Sequence, residues 1–202
     1  MMKEMKKFGI ACSALMILAV LILSGCSSDG QQENDSGVVN STAQNNGNIG
    51  TITNYTPDYS QVPEEGEMAP DFQYQNADGE ILFISDLKGK AVLLNFWQVR
   101  CPPCVHEMPF LQQVYEEWVT EDFVMLAVNV GEATSTVNGF IEENELTFPI
   151  LLDTARTTSR LYAIRYVPTT YFIDKEGILQ TIKIGAFQSP EQISSYIETV
   201  IN

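Results

Sequence analysis

The chain has 202 residues, enough for one domain or two small ones, and 45% of them are hydrophobic, enough for a packed core. The formal net charge is -15, from 26 acidic and 11 basic residues. Because no sizeable basic block lies beyond the first ten residues, nucleic acid is not expected as a partner. The acidic balance indicates solubility and nothing more specific, and we expect a monomer.

Residues 1–25 have the pattern of a secretory signal peptide. A lysine-containing start precedes an apolar stretch over residues 8–23, which is shorter than the roughly 20 residues that usually span a bilayer. The stretch ends in Leu23-Ser24-Gly25-Cys26, which resembles the lipobox of bacterial lipoproteins. That resemblance implies that Cys26 is acylated, with palmitate for example, and becomes the mature N-terminus. The alternatives are an uncleaved anchor and an ordinary signal peptide with a chance cysteine.

Residues 26–65 are predicted to be the lipidated cysteine and a flexible tether. This segment is polar, low in complexity and poor in large apolar residues, so it cannot bury a core. A random coil of about 40 residues would reach roughly 35 Å. The tether would hold a folded domain, predicted over residues 66–202, on the extracytoplasmic face of the cell membrane. Tyr55 and Tyr59 are the tether residues that could dock on that domain.

The folded domain is predicted to alternate strands and helices. A hairpin turning at Asp78-Gly79 and a short turn over residues 85–90 precede a buried, nearly all-apolar strand at 91–96. A helix should start at Pro102 and bend at Pro109, since proline favours the first helical position and disrupts later ones. The remaining elements are strands at 123–130, 148–152, 169–173 and 178–184, and helices at 135–144, 154–163 and after Ser189. This pattern predicts an α/β three-layer sandwich with a mixed central sheet.

Cys101 and Cys104 are the thiol pair left in the mature chain, since Cys12 leaves with the signal peptide and Cys26 carries lipid. A disulfide closing so short a loop adds little stability in the chain-entropy model, so reactivity explains the pair better. A zinc site needs about four ligands, and the one histidine of the sequence is His106. We therefore expect no metal, and no cofactor beyond a redox-active disulfide.

Cys101 is predicted to be the attacking thiol, because it precedes the helix at its N-cap. Backbone N–H groups and the helix dipole favour a thiolate there, and Arg100 adds a neighbouring positive charge. Pro103 has no N–H, so the N–H of Cys104 should carry more of the stabilisation of Cys101. Cys104, about one turn inside the helix, would resolve the mixed disulfide.

Two further features accompany the cysteines. Glu107 follows Cys104 by three residues, so both side chains can face the same side of the helix. A carboxyl held near the thiols would have a raised pKa and could move protons; the alternative is a solvated helix position. Val167-Pro168 precedes the strand at 169–173. This proline is either a plain edge feature or a cis proline that leaves backbone free to pair with a substrate strand.

Taken together, the motifs resemble the thioredoxin superfamily, and more closely its membrane-tethered thiol–disulfide oxidoreductases of the cytochrome c maturation type. The resemblance covers about residues 66–202, and residues 135–152 match the central αβ insertion of the exported members. It implies that Cys101 attacks, Cys104 resolves and Pro168 is cis, and it favours a functional Glu107. The motifs that carry it are Phe96-Trp97, Cys101-Pro102-Pro103-Cys104, Pro109 and Val167-Pro168-Thr169.

The expected substrate-binding residues are Trp97, Arg100, Val167 and Pro168. Arg100 departs from the family pattern, because many relatives have tryptophan directly before the first cysteine. That residue helps to shape the surface around the thiol, so the resemblance does not fix the substrate.

Three functions are consistent with these residues. The leading hypothesis is an exported, membrane-anchored lipoprotein that reduces disulfides in partner proteins, apocytochrome c among them, and is re-reduced by a membrane electron donor. The second is a thiol peroxidase of the peroxiredoxin type, whose peroxidatic cysteine follows a Thr-x-x pattern, whereas Gln98 stands at that position here. The third is a non-enzymatic binding lipoprotein with a structural disulfide. Pro103 favours a reductant, since an oxidant needs a strongly stabilised thiolate.

Overall fold

The computed structural model describes residues 48–53, 55–60, 62–119 and 122–202. The predicted signal peptide, Cys26 and the first half of the predicted tether lie outside these residues. The described residues form eight strands, four α-helices and one 3₁₀ turn at Ile84–Leu87. The elements are β1 (Ile49–Ile52), β2 (Gln73–Gln75), β3 (Ile81–Phe83), β4 (Ala91–Trp97), α1 (Pro102–Trp118), β5 (Phe123–Val130), α2 (Thr134–Glu143), β6 (Ile150–Asp153), α3 (Thr157–Leu161), β7 (Thr169–Ile173), β8 (Leu179–Ile184) and α4 (Pro190–Val200).

One mixed sheet organises these elements, in the order β3-β2-β1-β6-β5-β4-β7-β8. The fully buried β4 lies near its centre, parallel to β5 and antiparallel to β7. Strands buried on both faces read as continuous apolar runs, which is why the sequence indicated β4 and β5 clearly. The predicted mixed sheet and the N-terminal hairpin of β2 and β3 are confirmed.

Helices cover both faces of the sheet, because successive side chains of β4 point to opposite sides. Leu93 and Trp97 face the layer that contains the buried sides of α1, α2 and α4. Leu94 and Phe96 face the opposite layer, which includes Leu161 of α3. The predicted three-layer sandwich is therefore confirmed. None of the helices in the described ranges is long and apolar enough to cross a bilayer.

β1 corrects the predicted tether. Residues 49–52 pair with β6 in parallel and with β2 in antiparallel orientation, so the prediction that they belong to a flexible tether is wrong. Asn48 extends this docking, since its Nδ2 donates to the carbonyl oxygens of Leu146 at 3.0 Å and Phe148 at 2.8 Å. Gly50 has no Cβ, which would otherwise overlap the carbonyl oxygen of Gln75. Four residues of a polar segment showed too little periodicity to predict this strand.

Tyr55, one of the two docking candidates of the predicted tether, contacts the folded domain. Its hydroxyl donates to the carbonyl oxygen of Asp71 at 2.6 Å, and its ring meets Phe83 edge-on at 6.5 Å between centroids. Burial raises its pKa beyond the ordinary range of a phenol. The described part of the chain is thus held to the sheet well before residue 66.

Candidate active site

The cysteine pair lies at the junction of β4 and α1, joined as a disulfide with 5.2 Å between the two Cα atoms. Cys101 is the N-cap residue of α1, and its Sγ accepts a hydrogen bond from Cys104 N at 3.3 Å. Prolines at the first two helical positions have no N–H to donate. The predicted hydrogen bond from the Cys104 N–H to Cys101 Sγ is therefore present.

The two sulfur-bearing residues differ in exposure. Cys101 is 9% exposed, whereas Cys104 is fully buried among the side chains of the α1 layer. An incoming disulfide can therefore reach Cys101 first, and Cys104 only from within the protein. This asymmetry is what an attacking and a resolving thiol require.

The loop before β7 closes the other side of the disulfide. The Val167–Pro168 peptide bond is cis, and the carbonyl oxygen of Val167 lies 3.5 Å from Cys101 Sγ. Pro168 is buried, Val167 is half-buried and the neighbouring Tyr166 is 69% exposed. The cis proline implied by the family resemblance is present, and Val167 presents backbone directly beside the reactive sulfur.

Glu107 is fully buried one helical turn beyond Cys104. Its Oε1 accepts from Asn95 Nδ2 and its Oε2 accepts from Phe187 N, both at 2.9 Å. Burial raises the pKa of Glu107 to about 7, although these two hydrogen bonds and the charge of Lys183 act in the opposite direction. The alternative of a solvated helix position is wrong.

Asn95 connects Glu107 to the neighbouring strand. It is fully buried, and its Nδ2 also donates to Oγ1 of Thr170, its register partner on β7, at 2.9 Å. Asn95 Oδ1 has no hydrogen-bond partner among the described residues. Sequence analysis did not single out Asn95, although a polar residue inside an apolar strand was the available signal.

Lys183 of β8 supplies the cation near Glu107. Its Nζ donates to the carbonyl oxygens of Gly185 and of Ala186, the second at 3.1 Å, and lies 4.6 Å from the ring centroid of Phe187. Burial lowers the pKa of Lys183, while the charge of Glu107 opposes that effect. Phe187 therefore contacts both charged groups: its backbone N donates to Glu107, and its ring lies beneath the Lys183 ammonium.

The loop before Cys101 is held by a carboxylate that sequence analysis missed. Glu132 accepts from Val99 N at 2.7 Å, from Arg100 N at 3.2 Å and from Asn129 Nδ2 at 2.8 Å. The side chain of Arg100 is exposed beside Cys101, as a residue that meets substrate should be. Glu132 follows β5 in a polar loop, where nothing in the local pattern distinguished it from a solvated residue.

Trp97 requires a correction. Its side chain is fully buried, and its ring packs against Phe140 at 5.4 Å between centroids. A residue without exposed surface cannot meet a partner protein, so the predicted substrate contact of Trp97 is wrong in this conformation. The tryptophan belongs to the core beneath the β4–α1 junction.

Comparison with known proteins agrees with a thiol–disulfide exchange site. A model of the AhpC/TSA family matches residues 66–182. The chain belongs to the AhpC/TSA family. Thiol-disulfide oxidoreductase ResA of Geobacillus thermodenitrificans is 37% identical over 135 residues, which span 67% of this chain and 77% of that relative.

Solved structures of thiol–disulfide exchange proteins are similar in fold to this AhpC/TSA-family chain. The thiol:disulfide interchange protein DsbE of Chlorobium tepidum has a TM-score of 0.64 at 27% identity, covering 70% of this chain and all (100%) of that one. The exposed lipoprotein thioredoxin Etrx1 of Streptococcus pneumoniae has a TM-score of 0.56 at 28% identity, covering 64% and 98%. The α/β thioredoxin-like fold is confirmed.

The family and its named relatives also confirm the enzyme class. This AhpC/TSA-family chain is a thiol–disulfide oxidoreductase of the ResA and DsbE type. The relatives are named as an oxidoreductase, an interchange protein and a thioredoxin, which favours disulfide exchange over the peroxidase alternative and over a purely structural disulfide.

Proposed function

We propose that this chain reduces disulfides in partner proteins by sequential attack of its two cysteines. The thiolate of Cys101 attacks a substrate disulfide, forms a mixed disulfide and releases the other substrate sulfur as a thiolate. The thiolate of Cys104 then attacks Cys101 Sγ, which forms the Cys101–Cys104 disulfide and releases the second substrate thiolate. Two electrons pass from the enzyme dithiol to the substrate. The exposure of Cys101 and the burial of Cys104 carry this assignment.

Glu107 is proposed as the proton acceptor for the resolving thiol. Cys104 is fully buried, so its proton cannot leave directly to solvent, and Glu107 is the carboxyl one helical turn away. A general base works best when its pKa lies near the working pH, and burial raises the pKa of Glu107 to about 7. Asn95 and Phe187 N orient the carboxyl without adding charge.

Substrate recognition is proposed at Val167, Pro168 and Arg100. The carbonyl oxygen of Val167, 3.5 Å from Cys101 Sγ, can accept from the backbone of an extended substrate segment. Pro168 follows Val167 directly and is buried beneath this loop. The exposed Arg100 would favour an acidic or carbonyl-rich surface next to the attacked disulfide.

A reducing role requires a source of electrons, which we propose to be a membrane donor of the dithiol type. Donors of N–H to Cys101 are few, because prolines occupy the first two positions of α1. A weakly stabilised thiolate corresponds to a reducing pair. Apocytochrome c, the substrate implied by the family resemblance, contains the kind of cysteine pair that such a reductant would keep open.

Membrane attachment through a lipid on Cys26 is proposed from the lipobox pattern of residues 23–26. Similarity to an exposed lipoprotein thioredoxin supports it. The chain expressed in a bacterial host should partition into detergent, and the Cys26→Ser variant should not. Equal partition of both chains into the aqueous phase would remove the anchor from the proposal.

The order of attack is tested by trapping. The reduced Cys104→Ala variant should hold a disulfide-containing peptide as a stable mixed disulfide, because the resolving thiol is absent. The matched Cys101→Ala variant should trap little, since Cys104 is buried. Mass spectrometry of tryptic fragments identifies the linked cysteine, and faster trapping by Cys104 would contradict the proposed roles.

A further inference from the structure

The carboxylate of Glu132, in the loop after β5, is hydrogen-bonded to the loop that precedes Cys101. Glu132 accepts from the backbone N–H groups of two consecutive residues, Val99 at 2.7 Å and Arg100 at 3.2 Å. The second of these amides directly precedes Cys101. All three partners of Glu132 are N–H donors, which match the acceptor oxygens of a carboxylate.

The position of Glu132 is set by its own surroundings. Gly131 has a φ of 69°, a left-handed conformation, and a Cβ there would overlap the Arg156 side chain. Asn129 Nδ2 donates to Glu132 Oε2 at 2.8 Å, which orients the carboxylate toward the loop. Gln98 Nε2 donates to Val130 O at 2.6 Å and ties the same two loops together again. These hydrogen bonds therefore hold the Glu132 carboxylate beside the start of α1.

We propose that Glu132 is a positioning residue for the exchange reaction, which fixes the loop before Cys101 and at the same time opposes formation of the Cys101 thiolate. It thereby favours the disulfide over the ionised dithiol and makes the pair more reducing. The proposal rests on the proposed role of Cys101 as the attacking thiol.

Other charged groups of the site must be held constant in a test. Arg100 directly precedes Cys101, and its positive charge favours the thiolate. Glu107 and Lys183 interact with each other on α1 and β8, and none of the test variants changes them. Arg156, whose side chain lies against Gly131, is likewise unchanged. Glu132 is half-buried at the loop, so its charge is partly screened. We expect it to raise the Cys101 pKa by about half a unit to one unit.

The test uses three single variants of the full chain. Glu132→Gln keeps the shape of the side chain and removes the charge, and Glu132→Asp keeps the charge on a shorter side chain. Glu117→Gln is the matched control, because Glu117 is exposed and lies 15 positions beyond the first residue of α1. Each change is also placed in a Cys104→Ala background in which Cys12 and Cys26 are replaced by serine, so that thiolate absorbance on titration reports Cys101 alone.

Glu132→Gln should lower the Cys101 pKa by about half a unit to one unit, while Glu117→Gln should leave it unchanged and Glu132→Asp should remain near wild type. In the two-cysteine protein, the dithiol–disulfide equilibrium with glutathione should shift by about threefold to tenfold toward the dithiol at pH 9.5. The upper value corresponds to about 30 mV. The shift should shrink as the pH is lowered below the Cys101 pKa that the titration gives, because a neutral thiol does not feel the charge of Glu132.

A merely structural clamp would behave differently. Glu132→Gln would then unfold at lower urea concentration but keep its Cys101 pKa and its equilibrium with glutathione at every pH. Either that outcome or a raised pKa overturns the proposal. Failure of the proposed function is seen separately, because it would appear as trapping at Cys104, whereas the titration follows Cys101 in either case.

Discussion

Two carboxyl groups near the active-site cysteines differ in their surroundings: Glu107 is buried on α1, and Glu132 is half-buried in the loop after β5. Glu107 lies in the core and is held by one side-chain amide and one backbone N–H. Glu132 lies at the loop, half-buried, and accepts from three N–H groups. Desolvation raises the pKa of Glu107 to about 7, so this group can exchange a proton at neutral pH. Glu107 is thus suited to accept a proton, whereas Glu132 holds the backbone of the loop before Cys101.

The largest expected effect of this difference is on stability. The pKa of Glu107 rises from 4.5 to about 7 on folding, which corresponds to roughly 3 kcal/mol. Between these two values the folded protein binds more protons than the unfolded chain, so stability falls as pH rises. The loss begins near pH 4.5 and is complete just above pH 7. Urea unfolding of the oxidised protein from pH 4 to pH 8 should show it.

Glu107→Gln is the variant that isolates this effect. A neutral amide can accept from Phe187 N, and it can donate to Asn95 once the Asn95 amide rotates to present Oδ1 in place of Nδ2. The variant should therefore lack the decline between pH 4.5 and pH 7 and be more stable than wild type at pH 8. A decline of the same size in both proteins would assign it to other groups.

The same variant should slow disulfide exchange by about a hundredfold, the low end of what general acid–base catalysis contributes. The effect belongs to the resolving step, which needs a thiolate at the buried Cys104. Stopped-flow measurement with a disulfide peptide should show release of product slowed and formation of the mixed disulfide little changed. An unchanged release rate would leave Glu107 without a proton-transfer role.

Loss of the Glu132 charge is expected to have the smallest effect, at most one unit in the pKa of Cys101. Glu107 and Glu132 act on different groups, so their effects on the glutathione equilibrium should add in the Glu107→Gln/Glu132→Gln variant. A strongly non-additive result would mean that both carboxyls act through one shared network, which would contradict separate roles for Glu107 and Glu132.

The sequence predicted those parts of the site that local patterns encode. An apolar run followed by Cys101 and two prolines specifies a buried strand, a turn and a helix start. β4 spans almost the predicted residues, and α1 begins at the predicted Pro102. The spacing of Glu107 predicted that it can share a side of α1 with Cys104, and the structure shows that this side is buried. These features depend on periodicity and on proline chemistry within about ten residues.

What sequence analysis missed depends on contacts between distant residues. Glu132 and β1 look like parts of polar segments until their partners at Val99 and at β6 are known. Trp97 shows the reverse error, because its place beside the motif suggested a surface role and the helices above it bury it fully. Tertiary burial, rather than position in the motif, decides which neighbours of the cysteines can meet a substrate.

The reduction potential of the Cys101–Cys104 pair tests the central claim most directly. It can be measured by equilibration of the full chain with glutathione or dithiothreitol buffers at pH 7. A reductant that lacks a strongly stabilised thiolate should have a potential near that of thioredoxin, about -270 mV, or below it. A potential near about -120 mV, typical of a strong dithiol oxidant, would contradict the account.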